Sequence, residues 1–374
     1  MSGDRPIGVV LAGGGTGGHI HPNLAVAHEL ERRRPGGCRF VFVVSDRAID
    51  KRVLDGATMA GEPVRREVSP AKPVIARPIG LLRFARNWGG GVRAGRNAIR
   101  LLSGECDRVV MLATGGFVSA PAVMGARAEG VERIVVNLDA VPGKANRMAS
   151  RFATETVSVG DELRPIVGSQ WGDLPTPAEA REHFGLDPHT RTLLVTGGSQ
   201  GARSVNRFVL SCFPDMSEHD GWQVVHQTGE GEQHECAAAW TDMGVRAFVA
   251  PYIDGMHRAF AAADAVVCRG GAGTVADLWA SGRPALILPY PHHRDRHQAL
   301  NARPLVEAGG AVVADDLIDP GRNSAAHAES LRRLLDDAER STMTRGMASL
   351  GPADGASQLA DRILTGSIAG TNPG

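Results

Sequence analysis

The chain has 374 residues, and its 41 basic and 41 acidic side chains give a formal net charge of zero. Hydrophobic residues make up 43% and charged residues 22% of the sequence, which excludes a disordered or fibrous protein and indicates a soluble globular one. The balanced charge also argues against binding nucleic acid through bulk charge, so any electrostatic function must be local. The length exceeds that of a usual single domain and predicts two domains.

The five cysteines are odd in number, widely separated and never spaced as Cys-x-x-Cys. They indicate neither a disulfide framework nor a zinc site, and they favour a reducing compartment. No run of about 18 uninterrupted apolar residues is present, and a glycine-rich segment precedes any long apolar stretch. We therefore expect no signal peptide and no membrane-spanning helix, and thus a soluble or peripheral protein.

Short runs rich in β-branched residues alternate with helical patterns along the chain. In the first half, the predicted strands are 7–12, 40–44, 109–112, 134–138 and 156–159. A break at 161–190 holds four prolines and a predicted helix at 177–184. The strands predicted after the break are 192–196, 223–226, 247–250, 265–268, 285–289 and 311–313. This alternation is typical of βαβ units and predicts an α/β protein with two doubly wound, Rossmann-like parallel sheets.

These patterns also suggest domain boundaries. We predict an N-terminal domain over residues 1–163, a second domain over 164–352, and a C-terminal segment over 353–374. In that segment, residues 356–364 are predicted to form a final helix, followed by a frayed tail.

A glycine-rich loop at 13–19 (GGGTGGH) follows the first predicted strand and precedes a helix expected to begin near Pro22. Glycines let the backbone approach a ligand closely, and a helix N-terminus offers free amides to an anion. The loop contains the G-x-G-x-x-G pattern of dinucleotide-binding proteins, and Asp46 is placed to hold a ribose, so an NAD-type oxidoreductase is an alternative. His19, which ends the loop, is a candidate general base because imidazole titrates near neutrality.

Two further loops of the same kind follow strands in the second half, at 196–202 (TGGSQGA) and 269–274 (RGGAGT). A dehydrogenase needs one such loop, whereas a nucleotide-sugar lying between two domains can use several. We therefore favour a glycosyltransferase. Because the sequence contains no Asp-x-Asp motif, we expect helix N-termini and backbone amides, not a metal ion, to stabilise the departing nucleoside diphosphate.

Polar side chains near the third loop are candidates for binding the donor. Asp277 lies one turn into the helix that this loop opens, where its carboxylate could accept both hydroxyls of a ribose. The alternative is an acidic residue that only favours the helix dipole. In the polar stretch 289–298, His297 and Gln298 could bind sugar hydroxyls, while the histidine spacing there is a weak signal for metal.

A basic and apolar segment runs from Arg65 to Arg100, with nine Lys or Arg residues and one acidic residue, Glu67. Such a segment predicts docking on an anionic lipid surface, and the alternative is a solvated helix face that packs ordinary core residues. The apolar residues assigned to membrane docking are Ile75, Leu81, Leu82, Phe84 and Trp88.

Seven segments, taken together and in this order, resemble the MurG family of peptidoglycan glycosyltransferases. They are 13–22 (GGGTGGHIHP), 115–121 (GGFVSAP), 140–146 (AVPGKAN), 197–206 (GGSQGARSVN), 252–256 (YIDGM), 269–277 (RGGAGTVAD) and 297–302 (HQALNA). The resemblance implies the GT-B fold, in which two Rossmann-like domains face each other across a cleft. It further implies inverting transfer of N-acetylglucosamine from UDP-N-acetylglucosamine to lipid I, giving lipid II, by a cytoplasmic enzyme on the inner face of the plasma membrane.

The resemblance also implies roles for particular residues, without a cofactor, a metal or a nucleic-acid partner. The backbone of Ile253 should meet uracil, Asp277 the ribose and Gln298 the sugar. The donor-binding residues are expected to be Thr16, Gly17, Gly18, Ser199, Gln200, Gly201, Ile253, Ala272, Gly273, Thr274, Asp277, His297 and Gln298. Residues on the side of the lipid-linked acceptor are expected to be Phe117, Asn137 and Asn146, with His19 or Asp139 as the base.

The chain departs from the family pattern at three places. The family's His-Glu-Gln-Asn is VNLD at 136–139, its Gly-Gly-Tyr tyrosine is Phe117, and its Gly-Asn-Pro-x-Arg appears as GSQ at 168–170 without the arginine. Each change removes a hydrogen-bonding or charged group, and Asp139 is the candidate replacement for the base. Three hypotheses follow: a MurG enzyme with a changed acceptor site, a related transferase with another lipid or glycan acceptor, and a non-catalytic UDP-sugar-binding relative.

Overall fold

The structure is a computed structural model that describes residues 5–15, 17–59, 61–72, 78–198, 200–215 and 221–366. The chain divides into two units. The first unit comprises Met1–Ser169 together with Asp354–Gly374, and the second comprises Gln170–Ala353. Each unit contains one six-stranded sheet in which all described strand pairs are parallel.

The first sheet has the strand order β5-β2-β1-β6-β7-β8, and a short antiparallel pair, β3 with β4, lies apart from it. The strands are β1 (Ile7–Gly13), β2 (Cys38–Val44), β3 (Thr58–Met59), β4 (Glu62–Pro63), β5 (Arg65–Val68), β6 (Arg108–Gly115), β7 (Glu132–Asn137) and β8 (Glu155–Ser158). The helices in this part of the chain are α1 (Gly17–Arg33), α2 (Ala48–Asp55), α3 (Pro78–Ser103), α4 (Ser119–Ala128) and α5 (Lys144–Ser150).

The second sheet has the order β11-β10-β9-β12-β13-β14. Its strands are β9 (Arg191–Thr196), β10 (Trp222–Gln227), β11 (Ala247–Ala250), β12 (Ala265–Cys268), β13 (Ala285–Ile287) and β14 (Ala311–Val313). The helices of the unit are α6 (Pro177–His183), α7 (Arg203–Cys212), α8 (Gln233–Asp242), α9 (Met256–Ala262), α10 (Ala272–Ser281), α11 (His297–Asn301), α12 (Arg303–Glu307), α13 (Pro320–Leu335) and α14 (Asp337–Ala348). The last helix, α15 (Gly355–Thr365), belongs to the first unit.

Alternating residues of the central strands build two cores, one on each face of a sheet. In β1, Val9 and Leu11 enter one core, to which α1 and α15 also contribute. Val10 and Ala12 enter the other core, with residues of α3 and α4. A parallel sheet with helices on both faces buries both sets of side chains, which explains the uninterrupted apolar runs of these strands.

Most predicted strands agree with the structure to within a few residues, but the sequence prediction missed β3, β4 and β5 and misplaced the start of α1. The strand β5 alternates half-buried and exposed residues and carries three charged side chains, as an edge strand tolerates. The prediction that the first helix begins near Pro22 is wrong, because α1 begins at Gly17 and includes Pro22. The Thr114 hydroxyl donates a hydrogen bond of 2.7 Å to the His19 carbonyl and anchors this early turn to β6.

Within the described residues, no helix combines the length and apolar character needed to cross a membrane.

Candidate functional site

The first glycine loop is held from behind by a buried carboxylate. Asp50, at 0% exposure in α2, accepts a bifurcated hydrogen bond from the single N–H of Gly15, at 3.1 and 2.9 Å to its two carboxylate oxygens. The same carboxylate accepts bonds from the amide and hydroxyl of Ser45, which follows β2. Because a buried charge must be paired or hydrogen-bonded, these donors fix Asp50, and Asp50 in turn fixes the loop backbone.

The front of this loop is shaped by close backbone contacts with the turn after β6. A Cβ atom on Gly116 would lie 2.0 Å from the Gly14 carbonyl oxygen, so only glycine fits there. A Cβ on Gly15, whose φ is +94°, would lie 2.4 Å from the Phe117 ring. Arg47 donates a 2.7 Å hydrogen bond to the Gly15 carbonyl, and its guanidinium lies 5.1 Å from the centre of the Phe117 ring.

His19 is half-buried, and it is oriented for accepting a proton. Its Nδ1 lies 3.2 Å from the Thr114 carbonyl oxygen, which can only accept, so Nδ1 carries the hydrogen in the neutral ring. Burial lowers the pKa of His19, while the negative charge of Asp139 opposes part of this shift. The neutral imidazole therefore presents Nε2 as a basic nitrogen, and no described residue bonds to that atom.

The two asparagines predicted to lie on the acceptor side are buried in a local network. Asn146 donates to the Val136 carbonyl at 2.9 Å and to the Asn137 side-chain oxygen at 3.1 Å. Asn137, which is 4% exposed, donates in turn to the Ser158 hydroxyl at 3.2 Å. These bonds join α5 to β7 and β8 behind the loop that carries Asp139, so both asparagines position this part of the unit.

The second glycine loop is held by a neutral amide side chain. Gln227, at the end of β10, donates to the Gly198 carbonyl at 2.9 Å and accepts the Ile253 amide at 2.9 Å. The Thr196 hydroxyl accepts the Gly198 amide at 3.0 Å. The Ile253 amide is thus occupied, and the backbone group that remains for a ligand in the described structure is its carbonyl oxygen.

A buried histidine, His226, lies behind the same loop and supports it through Asn206. His226 is 0% exposed; its Nε2 lies 3.1 Å from the Asn206 side-chain oxygen, and its Nδ1 accepts the Trp240 indole N–H at 3.0 Å. Burial lowers the pKa of His226 to about 3, so the ring is neutral near pH 7. Asn206 donates to the Thr228 carbonyl at 2.9 Å, next to Gly229, where a Cβ would lie 2.6 Å from the Gly201 backbone.

The third glycine loop leads into α10, which carries Asp277. Ala272, Gly273 and Thr274 form the first turn of this helix, whose opening amides have no partners within the helix. Burial raises the pKa of Asp277 to about 7, although part of the residue still reaches solvent. No described residue donates a hydrogen bond to this carboxylate. Asp277 is thus a desolvated carboxylate whose hydrogen-bonding capacity is left for a ligand.

A buried ion pair connects the second and third loops. The Arg269 guanidinium lies 2.7 Å from the Asp316 carboxylate, and the Ser204 hydroxyl donates to the same carboxylate at 2.6 Å. Burial alone would raise the pKa of Asp316, but the bonds from Ser204 and Asn323 and the charge of Arg269 lower it instead. The pair therefore remains ionised and fixes the start of α7 against the end of β12.

A cavity of about 370 Å³ opens beside this ion pair. Its lining includes Gly201 and Ala202 before α7, the cations Arg203 and Arg207, and the aromatic ring of Tyr290. Arg203 is paired with Glu232 at 3.2 Å and Arg207 with Glu235 at 3.7 Å, so the amides at the start of α7 are what favours an anion here. A separate cavity of about 440 Å³ between α6 and α9 contains none of the predicted site residues.

The loop before α11 brings His297 and Gln298 into defined positions. The Gln298 side-chain oxygen accepts the Tyr290 amide at 2.8 Å, so its NH₂ group is the one left for a ligand. His297 Nδ1 lies 2.8 Å from an Asp295 carboxylate oxygen, and this bond lowers the pKa of Asp295. Tyr290 and Asp295, in the loop before α11, therefore set the orientation of the Gln298 and His297 side chains. Across the described residues, no group of three or more His, Cys, Asp and Glu is arranged to hold a metal ion.

The predicted membrane-docking segment falls largely on α3. Ile75 lies outside the described residues, as do the side chains of Leu81, Leu82 and Phe84, while Trp88 is half-buried and packs against a core of the first unit. Of the seven cations of the segment whose side chains the structure describes, five form ion pairs with carboxylates from outside it; they are Arg65, Arg66, Lys72, Arg96 and Arg100. Arg86 and Arg93 are exposed on α3. The basic character of the segment is thus partly neutralised.

Two predicted donor residues, Thr16 and Ser199, also lie outside the described residues. The neighbouring glycines of the first loop, Gly17 and Gly18, form the first turn of α1, and Gln200 is exposed.

Comparisons with known proteins cover nearly the whole chain. Family models for the glycosyltransferase family 28 N-terminal and C-terminal domains match residues 9–158 and 192–350. A relative from Acidothermus cellulolyticus, a UDP-N-acetylglucosamine--N-acetylmuramyl-(pentapeptide) pyrophosphoryl-undecaprenol N-acetylglucosamine transferase, is 35% identical, with 95% of this chain and 96% of that protein covered. A relative of the same name from Clavibacter sepedonicus is 37% identical, with 95% of each chain covered. The crystal structure of Acinetobacter baumannii MurG matches with a TM-score of 0.71 at 21% identity, covering 96% of this chain and 99% of that one.

This chain belongs to the MurG family. The predicted GT-B fold is confirmed, and so is the prediction of a glycosyltransferase. The NAD-type oxidoreductase alternative is set aside, and Asp46, its candidate ribose ligand, is paired with Lys72 at 3.0 Å.

Three groups that shape the MurG-type loops were missed by the sequence analysis. Asp50, Arg47 and Gln227 contact the glycine loops, yet each is distant from its loop in sequence. Gln227 gave the strongest available signal, because it directly follows a predicted strand at the edge where the loops lie. Nothing in the local sequence around Asp50 distinguishes it from a surface acid.

Proposed function

We propose that this protein transfers N-acetylglucosamine from UDP-N-acetylglucosamine to a hydroxyl of a lipid-linked acceptor, with lipid I as the acceptor and lipid II as the product. The reaction proceeds with inversion and without a metal ion. Membership of the MurG family supports this proposal, as do the names of relatives that match over about 95% of the chain.

The observation that most strongly supports this proposal is that the Asp277 carboxylate is desolvated and lacks a described hydrogen-bond donor. A carboxylate with a pKa raised to about 7 and no described hydrogen-bond donor is costly for a folded protein unless a ligand uses it. The two hydroxyls of a ribose are suitable donors for its two oxygens. The free amides at the start of α10 lie one turn away and suit the diphosphate of the same nucleotide.

The remaining donor contacts follow from the loops of the second unit. The Ile253 carbonyl is assigned to the uracil N–H, and the Gln298 NH₂ group and His297 to sugar hydroxyls. The Gly201 amide donates to the Gly198 carbonyl at 2.9 Å, so Gly201 shapes the turn while the opening of α7 adds amides for the diphosphate. These groups supply positive potential to the leaving group, so the reaction can proceed without a metal.

We assign the first unit to the acceptor, and with it Thr16, Gly17 and Gly18, which the family resemblance had assigned to the donor. His19 Nε2 takes the proton of the acceptor hydroxyl, and Asp139 stabilises the imidazolium that forms, in keeping with its effect on the pKa of His19. Phe117, Asn137 and Asn146 frame this site. The exposed Arg86 and Arg93 on α3 face solvent and support attachment to an anionic membrane surface, and we assign the enzyme to the cytoplasmic face of the membrane.

The test is a transfer assay with purified full-length protein, radiolabelled UDP-N-acetylglucosamine and a short-chain lipid I. We expect labelled lipid II with a β-linkage, and the same rate in the presence of EDTA. Binding of the donor without transfer or hydrolysis would favour the non-catalytic alternative, and transfer only to other polyprenyl-linked sugars would favour another acceptor.

The variant Asp277→Ala should raise the KM for UDP-N-acetylglucosamine about 100-fold, because two hydrogen bonds to a charged group are lost. The matched control is Asp242→Ala, an exposed acid at the end of α8, which should leave this KM unchanged. An unaltered donor KM in Asp277→Ala would refute the ribose assignment.

A further inference from the structure

The Arg47 side chain is held over the first glycine loop with most of its hydrogen-bonding capacity unused. One N–H donates to the Gly15 carbonyl at 2.7 Å, and the guanidinium lies against the Phe117 ring at 5.1 Å. A guanidinium has five N–H donors, and the other four make no bond to a described residue. The stacking and the single hydrogen bond fix the plane of the guanidinium and leave its other four N–H groups available to a ligand.

The charge of Arg47 is also not neutralised by its surroundings. No carboxylate of the described residues lies within 4 Å of its guanidinium. The neighbouring acid Asp46 is paired with Lys72, and Asp50 is buried and occupied by bonds from Gly15 and Ser45. An exposed arginine normally samples many rotamers, so one that is stacked and anchored to a ligand-binding loop is preorganised for a partner.

The place where Arg47 lies already favours an anion. The Gly15 carbonyl that it contacts is two residues before the first residue of α1, whose opening amides have no partners within the helix. α1 has 17 residues, long enough for an appreciable dipole. A planar guanidinium beside free amides is a combination that recognises phosphate, because its fork matches two phosphate oxygens.

We propose that Arg47 is a binding residue for a phosphate group of the acceptor, and that it contributes to selecting acceptors that carry a pyrophosphate. This inference rests on the proposed function, because it takes the first unit as the acceptor site. Phe117 is then the platform that holds the guanidinium. A tyrosine is usual in the family at that position, and the apolar ring present here offers its face to the cation.

Binding of inorganic pyrophosphate to the full-length protein tests the proposal directly. Titration calorimetry is done with saturating UDP, so that the donor site is already filled. Arg47→Ala should weaken pyrophosphate binding about tenfold or more, the loss expected for one charge-assisted hydrogen bond. Arg47→Lys, which keeps the charge but loses the planar fork and the stacking, should fall between wild type and Arg47→Ala.

The matched control is Arg52→Ala, which removes an equal charge from an exposed position on α2. It should bind pyrophosphate as wild type does. Equal affinities of wild type and Arg47→Ala would overturn the proposal, and so would wild type that binds no pyrophosphate at millimolar concentration. An equal loss in Arg52→Ala would also overturn it, because the effect would then be one of bulk charge.

The transfer assay separates this inference from the proposed function. If wild type forms lipid II, Arg47→Ala should raise the acceptor KM about tenfold and leave the KM for UDP-N-acetylglucosamine within about twofold. A raised donor KM with an unchanged acceptor KM would assign Arg47 to the donor instead. If wild type forms no lipid II, the proposed function fails while the pyrophosphate titration still decides the role of Arg47.

Discussion

The two units each hold a histidine beside a glycine loop, and the two histidines differ in how their ring nitrogens are used. His226 in the second unit is fully buried, and both nitrogens bond to protein groups, the Trp240 indole and the Asn206 side chain. His19 in the first unit is half-buried, and only Nδ1 bonds to a described residue. Burial lowers the pKa of both. A lowered pKa alone therefore does not identify a base; the unused nitrogen does.

The supports behind the loops differ in the same way. The first loop depends on the charged Asp50 and the cation Arg47, whereas the second depends on the neutral amide of Gln227. Charged supports make the first unit sensitive to single substitutions, because an uncompensated buried charge or donor is costly. Two of the three departures from the family pattern, at 117 and 136–139, also lie in the first unit, and the third, at 168–170, lies where the two units meet in the chain.

The largest expected effect separates the two histidines. His19→Asn keeps a donor for the Thr114 carbonyl but lacks the basic Nε2, so kcat should fall by about 100-fold or more with little change in donor KM. His226→Phe should leave kcat within about threefold and lower the free energy of unfolding by about 3 kcal/mol, because two buried partners lose their bonds. Transfer kinetics and urea unfolding measure these. A full kcat in His19→Asn would leave Asp139 as the candidate base.

A second comparison tests the side chains that hold the two glycine loops, Asp50 in the first unit and Gln227 in the second. Asp50→Ala leaves the buried donors of Gly15 and Ser45 without an acceptor, and it should lower the free energy of unfolding of the first unit by about 3 kcal/mol. Gln227→Ala removes neutral bonds and should cost the second unit about 1.5 kcal/mol. Hydrogen exchange of β1 and β10 amides in urea reports each unit separately. Equal losses in the two variants would contradict the distinction between charged and neutral support.

The smallest effect concerns pH and the donor. Because the folded pKa of Asp277 is about 7, its ionised fraction rises about tenfold between pH 6 and 8, and affinity for UDP-N-acetylglucosamine should rise accordingly. The donor's diphosphate keeps its charge between pH 6 and 8, so it does not contribute to this change in affinity. Calorimetric titrations of wild type and Asp277→Asn test this, and the variant should show no such rise.

The same shift has an opposite consequence for the ligand-free protein. The unfolded carboxyl ionises near 3.8, while the folded one keeps its proton until about pH 7. The unfolded state therefore binds fewer protons in this window, and the second unit should lose stability as the pH rises from about 4 to 7. Asp277→Asn should remove this part of the pH dependence. In the calorimetric titrations, a donor affinity that rises with pH equally in Asp277→Asn and in wild type would contradict the assignment of Asp277 to the ribose.

The sequence determined the strands and the family, because these depend on local information. Uninterrupted apolar runs such as 40–44 (FVFVV) are typical of buried strands of a covered parallel sheet, and glycines at strand ends mark loops that approach a ligand. The position of Asp277 one turn into α10 likewise follows from helical spacing alone. These features depend on neighbours within a few residues.

The tertiary structure decided how the loops are held and which polar groups are already hydrogen-bonded within the protein. Asp50 meets Gly15 across 35 residues of sequence, and Arg47 meets the Phe117 ring across a still longer separation. His19 Nε2 and the Asp277 carboxylate have no hydrogen-bond partner among the described residues, whereas the Ile253 amide has one, and packing decides all three. Hydrogen bonds are satisfied by whichever group the fold brings within about 3 Å, and sequence separation sets no limit on that.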